Sequence, residues 1–181
     1  MNNSRRKFLT TVGAGLSASA IAHPFTAGQT GDLQTEFAFK AEVLVDKIMD
    51  LGTTQHGNRR IIPITGGTFE GPGIKGTVVP GGADWQIIRP DAVAELEARY
   101  TLRTDDGALI YVVNKGYRHG PAAVMQRLAK GEPVEPSEYY FRATPVFETS
   151  VPKYSWLTNH IFIVTGARKL TTVLLNFYKV L

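Results

Sequence analysis

The segment GGADWQ, residues 81–86, places an acid, an aromatic ring and an amide directly after two glycines. Alternate residues of a strand face opposite sides, so Asp84 and Gln86 share one face and Trp85 lies on the other. Glycines in a strand often mark a bend or a close backbone approach. We therefore expect the rim of a binding pocket, with Asp84 as a general base and Trp85 and Gln86 as ligand contacts. The structural alternative is that Asp84 caps the turn and Trp85 packs in the core.

A charged stretch follows at residues 95–103, and Arg99 is its candidate for chemistry. A guanidinium presents several fixed donors, which suits an anion, a carbonyl or developing negative charge. A buried arginine needs a carboxylate partner, for which Asp84 and Glu148 are the candidates. If this face points outward instead, it is an ordinary solvated surface.

Residues 139–156 form the most aromatic part of the chain, with six Tyr, Phe or Trp among eighteen residues. Aromatic walls with a few polar groups suit a planar or apolar ligand. The segment contributes Arg142, Glu148 and Tyr154 as acid–base or charge-stabilising candidates, and Phe141 and Trp156 as ligand contacts. Aromatic rings that only fill the core would have the same pattern.

Histidine and cysteine chemistry is limited. His119, beside Arg118, is the histidine with a position suited to ligand or proton chemistry, although an ordinary loop residue would look the same. No two histidines have the spacing of metal ligands, and the absence of cysteine excludes a thiolate nucleophile or an iron–sulfur cluster. The glycine-rich TGGTFEGPGIKG lacks the Lys-Ser/Thr ending of a phosphate-binding loop. We therefore predict no metal site and no cofactor.

Short strands must position these residues. EFAFKAEVLV alternates between apolar and polar residues, and RRIIPITGGTF, IKGTVV, DWQIIR, SEYYFRATPVFET, HIFIVTGAR and TTVLLNFYKVL are further strands. One short helix is predicted in GPAAVMQRLAKGEP, beginning near Pro121 and ending at Gly131. The pattern predicts an all-β chain that forms a single closed antiparallel β-barrel of about 8–10 strands with one short helix. Closure is favoured because the last strand is apolar on both faces and unsuited to an exposed edge.

The clearest local element is a hairpin in VAELEARYTLRTDDGALIYVVNKG. A two-residue Asp-Gly turn at residues 106–107 predicts a register that pairs Tyr100, a candidate ligand contact, with Val113. The same register pairs Arg99 with Asn114 on the opposite face.

The N-terminus has the layout of a secretory signal: a basic start, a short apolar run and small residues at a cleavage site. The frame Ser-Arg-Arg-x-Phe-Leu at residues 4–9 resembles the signal read by the twin-arginine export machinery, and the apolar run is too short to span a bilayer. We expect residues 1–27 to be a signal peptide and leader and residues 28–181 to be the barrel. The expected location is periplasmic or secreted, and an integral membrane protein is not expected.

The charge balance argues against nucleic acid as a partner. The chain has 20 Lys and Arg against 16 Asp and Glu, and residues 1–22 hold three of the basic residues and no acid. Removal of that segment leaves 17 basic residues against 16 acidic ones. A nearly neutral domain lacks the basic surface that nucleic-acid binders use.

Four blocks together resemble the domain-of-unknown-function family 3237, also called uncharacterised protein family 0311: IIPITGGTFEGPGIKGTVVPGGADWQIIRPD, ARYTLRTDDGALIYVVNKGYR, YYFRATPVFET and WLTNHIFIVTGAR. The resemblance covers about residues 37–180. It implies a single antiparallel β-barrel and carries little information about chemistry.

The function expected from these observations is that of an exported β-barrel that binds a small aromatic or apolar molecule. If it is an enzyme, it is a cofactor-independent lyase, isomerase or cyclase that uses acid–base residues. The main alternative is a lipocalin-like carrier without turnover. A weaker one is a structural subunit that binds a partner through its surface.

Overall fold

The computed structural model describes residues 32–181, so the expected signal peptide lies outside the described residues. This part of the chain forms nine strands, one α-helix and two short 3₁₀ segments. The strands are β1 (Thr35–Val45), β2 (Met49–Thr54), β3 (Gly57–Gly71), β4 (Ile74–Ile88), β5 (Ala94–Thr104), β6 (Leu109–His119), β7 (Tyr140–Glu148), β8 (Phe162–Arg168) and β9 (Thr172–Val180). The helix is α1 (Ala122–Ala129), and the 3₁₀ segments are Pro136–Glu138 and Pro152–Leu157.

The strands form one closed antiparallel barrel. Their order is β1-β9-β8-β7-β6-β5-β4-β3, and β1 also pairs with β3, which closes eight strands into a ring. Strand β2 is an addition that pairs with the first part of β3. The predicted fold class and the short helix are thus confirmed. Within residues 32–181, no helix is long and apolar enough to cross a bilayer.

Closure between β1 and β3 depends on a close approach of the two backbones. Gly67 pairs with Val43 and has a φ of 131°, a backbone conformation that residues other than glycine rarely adopt. A Cβ at this position would lie 2.0 Å from the carbonyl oxygen of Glu42. Glycine is therefore required at this seam on both steric and conformational grounds.

Two of the predicted strands are in fact one. IKGTVV and DWQIIR belong to the single strand β4, which pairs with β5 along its length apart from an irregularity between Val79 and Ala83. Such bulges bend a strand and increase its local twist without ending it. The register shifts by two residues across this irregularity, so even-numbered residues such as Val78 and Gln86 face the barrel interior on both sides of it.

The predicted hairpin exists, but its predicted register was wrong by one residue. Tyr100 pairs with Val112, and Arg99 pairs with Val113. The turn contains three residues, Asp105–Gly107, because the Thr104 amide donates to the Ala108 carbonyl and Gly107 adopts a φ of 88°. One added residue in the turn shifts the cross-strand partners by one position. Each side chain of β6 therefore lies on the opposite face of the sheet from the predicted one, relative to β5.

Aromatic packing fills the end of the barrel that contains this turn. Phe39 stacks on Phe177 with ring centroids 4.2 Å apart, and Phe147 meets Phe162 edge to face. The 3₁₀ segment Pro152–Leu157 covers this end and buries Tyr154 and Leu157. These large rings fill this end of the core and bury it, with Phe39, Phe162 and Phe177 at 0% exposure.

Asp106 ties that cover to the β5–β6 turn. Its carboxylate accepts hydrogen bonds from the Lys153 ammonium at 2.6 Å, the Tyr154 hydroxyl at 2.8 Å and the Thr104 hydroxyl. These bonds to the ionised form hold the pKa of Asp106 far below its usual range, with the Lys153 bond as the largest cause. The stabilisation is present above the unfolded-state pKa of about 4 and is lost as pH falls through the folded-state value.

Asp106→Asn should lower the melting temperature at neutral pH, because an amide cannot pair with Lys153 as a carboxylate does. The difference from the wild type should shrink as pH is lowered below about 4, where the unfolded chain is protonated. Thermal unfolding followed by circular dichroism across this range measures it. The control is Asp105→Asn, which removes one exposed ion pair with Lys75 and should change the melting temperature little. Equal effects of both variants would contradict the assigned role of Asp106.

Candidate functional site

The opposite end of the barrel, next to α1, contains a polar cluster on the inner face. Strands β3, β4, β5, β6 and β8 each place at least one of its members there. The interior polar cluster consists of Arg60, Asp84, Gln86, Tyr100, Asn114, Arg118 and Arg168.

Asp84 and Gln86 form the centre of a hydrogen-bond chain. The Arg60 guanidinium donates to Gln86 Oε1 at 2.9 Å, and Gln86 Nε2 donates to Asp84 Oδ2 at 2.6 Å. The second carboxyl oxygen, Oδ1, accepts the backbone amide of Glu97 at 3.1 Å. Gln86 is 1% exposed, so this chain is fixed by packing as well as by hydrogen bonds.

Burial raises the pKa of Asp84 above its usual range. The Gln86 hydrogen bond, the Arg118 charge, the Glu97 amide and the Arg168 charge oppose this rise. Asp84 as a whole residue keeps partial exposure, while its carboxyl lies in the wall of an internal cavity. A carboxyl with a raised pKa can accept and return a proton closer to neutral pH than a surface aspartate can.

The internal cavity, here called the inner chamber, has a volume of about 40 Å³. Two polar atoms near it are buried and have no hydrogen-bond partner within residues 32–181: the Tyr100 hydroxyl and Asn114 Oδ1. Burial raises the pKa of Tyr100, so its hydroxyl stays protonated at neutral pH. The remaining lining is mostly apolar: Val43, Val45, Ile62, Ile64, Leu96, Ala98, Phe141, Ala143, Val173 and Leu175.

A second and larger space, here called the mouth, lies under α1 and has a volume of about 370 Å³. Arg118 and Arg168 line both the mouth and the inner chamber, so the two spaces meet at these side chains. Arg60 also lines the mouth. Its other walls are largely apolar and include Ile48, Ile88, Ala94, Met125, Leu128 and Leu170.

Arg118 is the most enclosed charged side chain of the cluster, with 6% exposure. The pKa of Arg118 is lowered to about 10, mainly by burial and also by the charges of Arg168 and Arg60, while the charge of Asp84 opposes the change. Arginine at this value remains protonated at neutral pH. Its guanidinium carbon lies 5.9 Å from the centroid of the Phe141 ring.

The structure brings four of the sequence-predicted site residues to this end. Asp84, Gln86 and Tyr100 belong to the interior polar cluster, and Phe141 lines the inner chamber.

Three predicted charged residues lie on the outer surface instead. Arg99 is next to the inward Tyr100, points outward and forms an ion pair with Glu97. This matches the alternative that the face of Arg99 is an ordinary solvated surface. Arg142 and Glu148 are exposed because they alternate with buried residues along β7. The structure therefore does not bring these three to Asp84.

The other predicted residues are dispersed. Trp85 points outward and is 37% exposed, and His119 is exposed and stacks on Tyr140 with centroids 4.9 Å apart. Tyr154 lies at the aromatic end with Asp106, and Trp156 packs there against Phe162.

The sequence prediction missed Arg60, Asn114, Arg118 and Arg168 as inward residues. A signal for two of them was available, since Asn114 and Arg118 have the same parity in β6 as the apolar Ile110 and Val112. Within residues 32–181, no group of three or more acidic, histidine or cysteine side chains could hold a metal ion.

Comparison with known proteins gives close relatives of unknown function. A family model described as "Protein of unknown function (DUF3237)" matches residues 33–180. A UPF0311 protein of Rhodopseudomonas palustris is 47% identical over 152 residues, which are 84% of this chain and 99% of the relative. The crystal structure of a conserved protein of unknown function from the same species is 45% identical, with a TM-score of 0.80 over 84% of this chain and 100% of that one.

A more distant structure has the same fold. It is described as an enzyme from Penicillium herquei, is 22% identical and has a TM-score of 0.62, covering 82% of this chain and 95% of that one. At this identity the likeness establishes the fold alone.

Asp84→Asn should alter the pH dependence of stability. A raised folded-state pKa favours the wild-type fold while the carboxyl is protonated, below about pH 4. This contribution is lost as pH rises through the raised value, so wild-type stability should fall relative to the variant as pH rises above about 4. Urea unfolding of both proteins across this range measures the difference. A relative rise of the wild type would mean that the arginine charges outweigh burial.

Proposed function

Because this chain belongs to the DUF3237 family, described as proteins of unknown function, we propose a function from its barrel interior. The protein binds a small, largely apolar molecule at the α1 end of the barrel, and Asp84 exchanges a proton with that molecule without a cofactor. The observation that carries this proposal is the Asp84 carboxyl, which has a raised pKa and lies in the wall of the inner chamber.

The two adjacent spaces support binding. The mouth has room for a small organic molecule, and its walls are apolar apart from the arginines and Gln126. The inner chamber adds the unpartnered Tyr100 hydroxyl and Asn114 Oδ1. A pocket with apolar walls and a few converging polar groups is typical of small-molecule sites.

The hydrogen bonds around Asp84 support proton transfer. The Gln86 amide and the Glu97 backbone fix the carboxyl, so that its orientation does not depend on solvent. In the reaction we infer, the Asp84 carboxylate accepts a proton from one atom of the substrate and returns it to another. Arg118 stabilises the negative charge that develops between these steps, and Tyr100 donates to a substrate oxygen. This balance suits an isomerase, lyase or cyclase and requires no oxidant.

The second candidate is a carrier without turnover. It is favoured by the mostly apolar lining of the inner chamber and by the aromatic packing that makes the opposite end rigid. A carrier and an enzyme would use the same two spaces, but only the enzyme depends on the charge of Asp84.

The test is incubation of residues 28–181 with a panel of small aromatic and apolar metabolites, followed by recovery and analysis by mass spectrometry and chiral chromatography. Recovery of an altered compound is the expected result. Asp84→Asn should reduce turnover by at least about 100-fold, the usual contribution of a general acid or base, and leave the dissociation constant within a few-fold. The matched control, Asp105→Asn, changes the same side chain at the other end of the barrel and should leave turnover unchanged.

Three outcomes would contradict the proposal of an enzyme that uses Asp84. Compounds that bind and are recovered intact identify a carrier, and equal turnover by Asp84→Asn and the wild type removes the role of Asp84. A panel with no bound compound would contradict both candidates.

The N-terminal sequence also supports a proposal for the compartment. We infer that the twin-arginine machinery exports the barrel, with support from the Ser-Arg-Arg-x-Phe-Leu frame. Replacement of Arg5 and Arg6 by lysine should remove the protein from the periplasmic fraction of a bacterial host that has this machinery. The control is Lys7→Gln, which leaves the arginine pair intact. An unchanged periplasmic level in the double lysine variant would contradict this route.

A further inference from the structure

We propose that the molecule bound in the barrel carries an anionic oxygen group, a carboxylate or a phosphate, and that Arg60, Arg118 and Arg168 hold it. This inference rests on the proposed function, since it names the class of the ligand for the same site. The three residues are called the arginine set.

The arginine set gathers side chains that are distant in the sequence and in the sheet. Arg60 lies on β3, Arg118 on β6 and Arg168 on β8, and these strands are not neighbours. All three line the mouth, and Arg118 and Arg168 also line the inner chamber. Each is close enough for its charge to act on another: Arg60 and Arg168 lower the pKa of Arg118, and Arg60 lowers that of Arg168.

The hydrogen-bonding capacity of the set is largely unused. Arg60 donates from one terminal nitrogen to Gln86, while its Nε is buried without a partner within residues 32–181. The Nε of Arg118, a residue with only 6% exposure, is also buried and has no hydrogen-bond partner in this part of the chain. No ion pair within 4.0 Å joins a member of the set to a carboxylate among the described residues.

The charge at this end is therefore unbalanced. Three guanidinium groups face two carboxyl groups: Asp84, whose pKa is raised by burial, and Asp50, whose charge acts on Arg60. Buried charges and unpaired donors are costly for a folded protein unless a counter-charge and acceptors are supplied. A carboxylate or phosphate supplies both, because a guanidinium binds their oxygens through parallel hydrogen bonds.

The sizes of the two spaces orient the ligand. The inner chamber, with a volume of about 40 Å³, is too small for the body of a ligand to enter it. The mouth is about 370 Å³ and is walled by Ile88, Met125, Leu128 and Leu170 among others. The anionic group then lies at the junction of the two spaces and an apolar body lies under α1. The anionic group is then the part of the ligand closest to the inner chamber and Asp84, and the ligand atoms bonded to it come next.

The test compares acids with amides of the same shape. Three pairs provide bodies of different size: benzoate and benzamide, 1-naphthoate and 1-naphthamide, and octanoate and octanamide. Phenyl phosphate separates the two headgroups. Calorimetric titration of residues 28–181 at neutral pH should give tighter binding of an acid than of its amide by at least about tenfold, as expected for hydrogen bonds to charged groups.

Arg118→Met identifies the residue responsible. It should weaken binding of the acids by at least about tenfold and leave the amides within about twofold. The matched control is Arg103→Met, since Arg103 is exposed on β5 at the aromatic end. The melting temperature of the unliganded Arg118→Met protein should not fall, because the variant removes a buried charge that lacks a partner. If this variant does not fold, the partly exposed Arg168→Met replaces it.

The outcomes separate this inference from the proposed function. Acids and amides that bind equally well, or acid binding that Arg118→Met and Arg103→Met weaken alike, would overturn the anion site while leaving a small-molecule site in place. No binding by any acid, amide or phosphate would overturn both. Preference for phenyl phosphate over benzoate would assign the headgroup as a phosphate, and the reverse order would assign it as a carboxylate.

Discussion

Enclosure is the constraint on which the rest of the structure depends. Strand β1 pairs with β9 on one side and β3 on the other, so the sheet has no open edge within the eight-stranded ring. A polar side chain that points inward must therefore find its partners inside, where water is scarce. Gln86 satisfies this requirement by bridging Arg60 and Asp84. The Nε of Arg118 and the hydroxyl of Tyr100 have no hydrogen-bond partner within the described residues. We therefore infer that a bound ligand supplies the missing partners.

The interior divides into an aromatic end and a polar end with different tasks. Phe39, Phe147 and Phe177 pack together at the first end, and the Asp106 tie holds the cover over them. At the second end, buried guanidinium groups repel each other, which is unfavourable for folding in isolation. Proteins commonly retain destabilising interactions at binding or catalytic sites, and the rest of the fold compensates for the lost stability. The aromatic end supplies the packing on which the polar end depends.

The sequence was sufficient to predict the closed barrel, its short helix and the shared face of Asp84 and Gln86. These follow from alternation, from Pro121 and Gly131 at the ends of α1, and from the apolar last strand, all of which are local signals. The hairpin register was wrong because the Asp-Gly turn contains a third residue, and a shift of one position reverses every facing pair. Because of that error, Asn114 and Arg118 were not recognised as inward side chains, and the face of Arg99 was left open between the interior and the solvent.

The remaining part of the site could not be predicted because it depends on which strand ends meet. Arg60 and Arg168 come together with Arg118 only after the ring has closed, and no spacing in the chain relates them. Arg142 and Glu148 illustrate the converse: both lie in the most aromatic segment, yet each alternates outward along β7. Composition indicated a pocket wall there, whereas strand parity determines which side chains line it.

The pairing of β1 with β9 also determines when the barrel can fold during synthesis. Thr35 pairs with Val180, and the Leu181 amide donates to the Gln34 carbonyl, so the first and last described segments complete each other. The ring cannot close before the ribosome has released nearly the whole chain. Contacts this distant in the sequence also make folding slow. Residues 1–31 therefore leave the ribosome well before the barrel is complete, and any partner that accepts only the folded barrel must wait for β9.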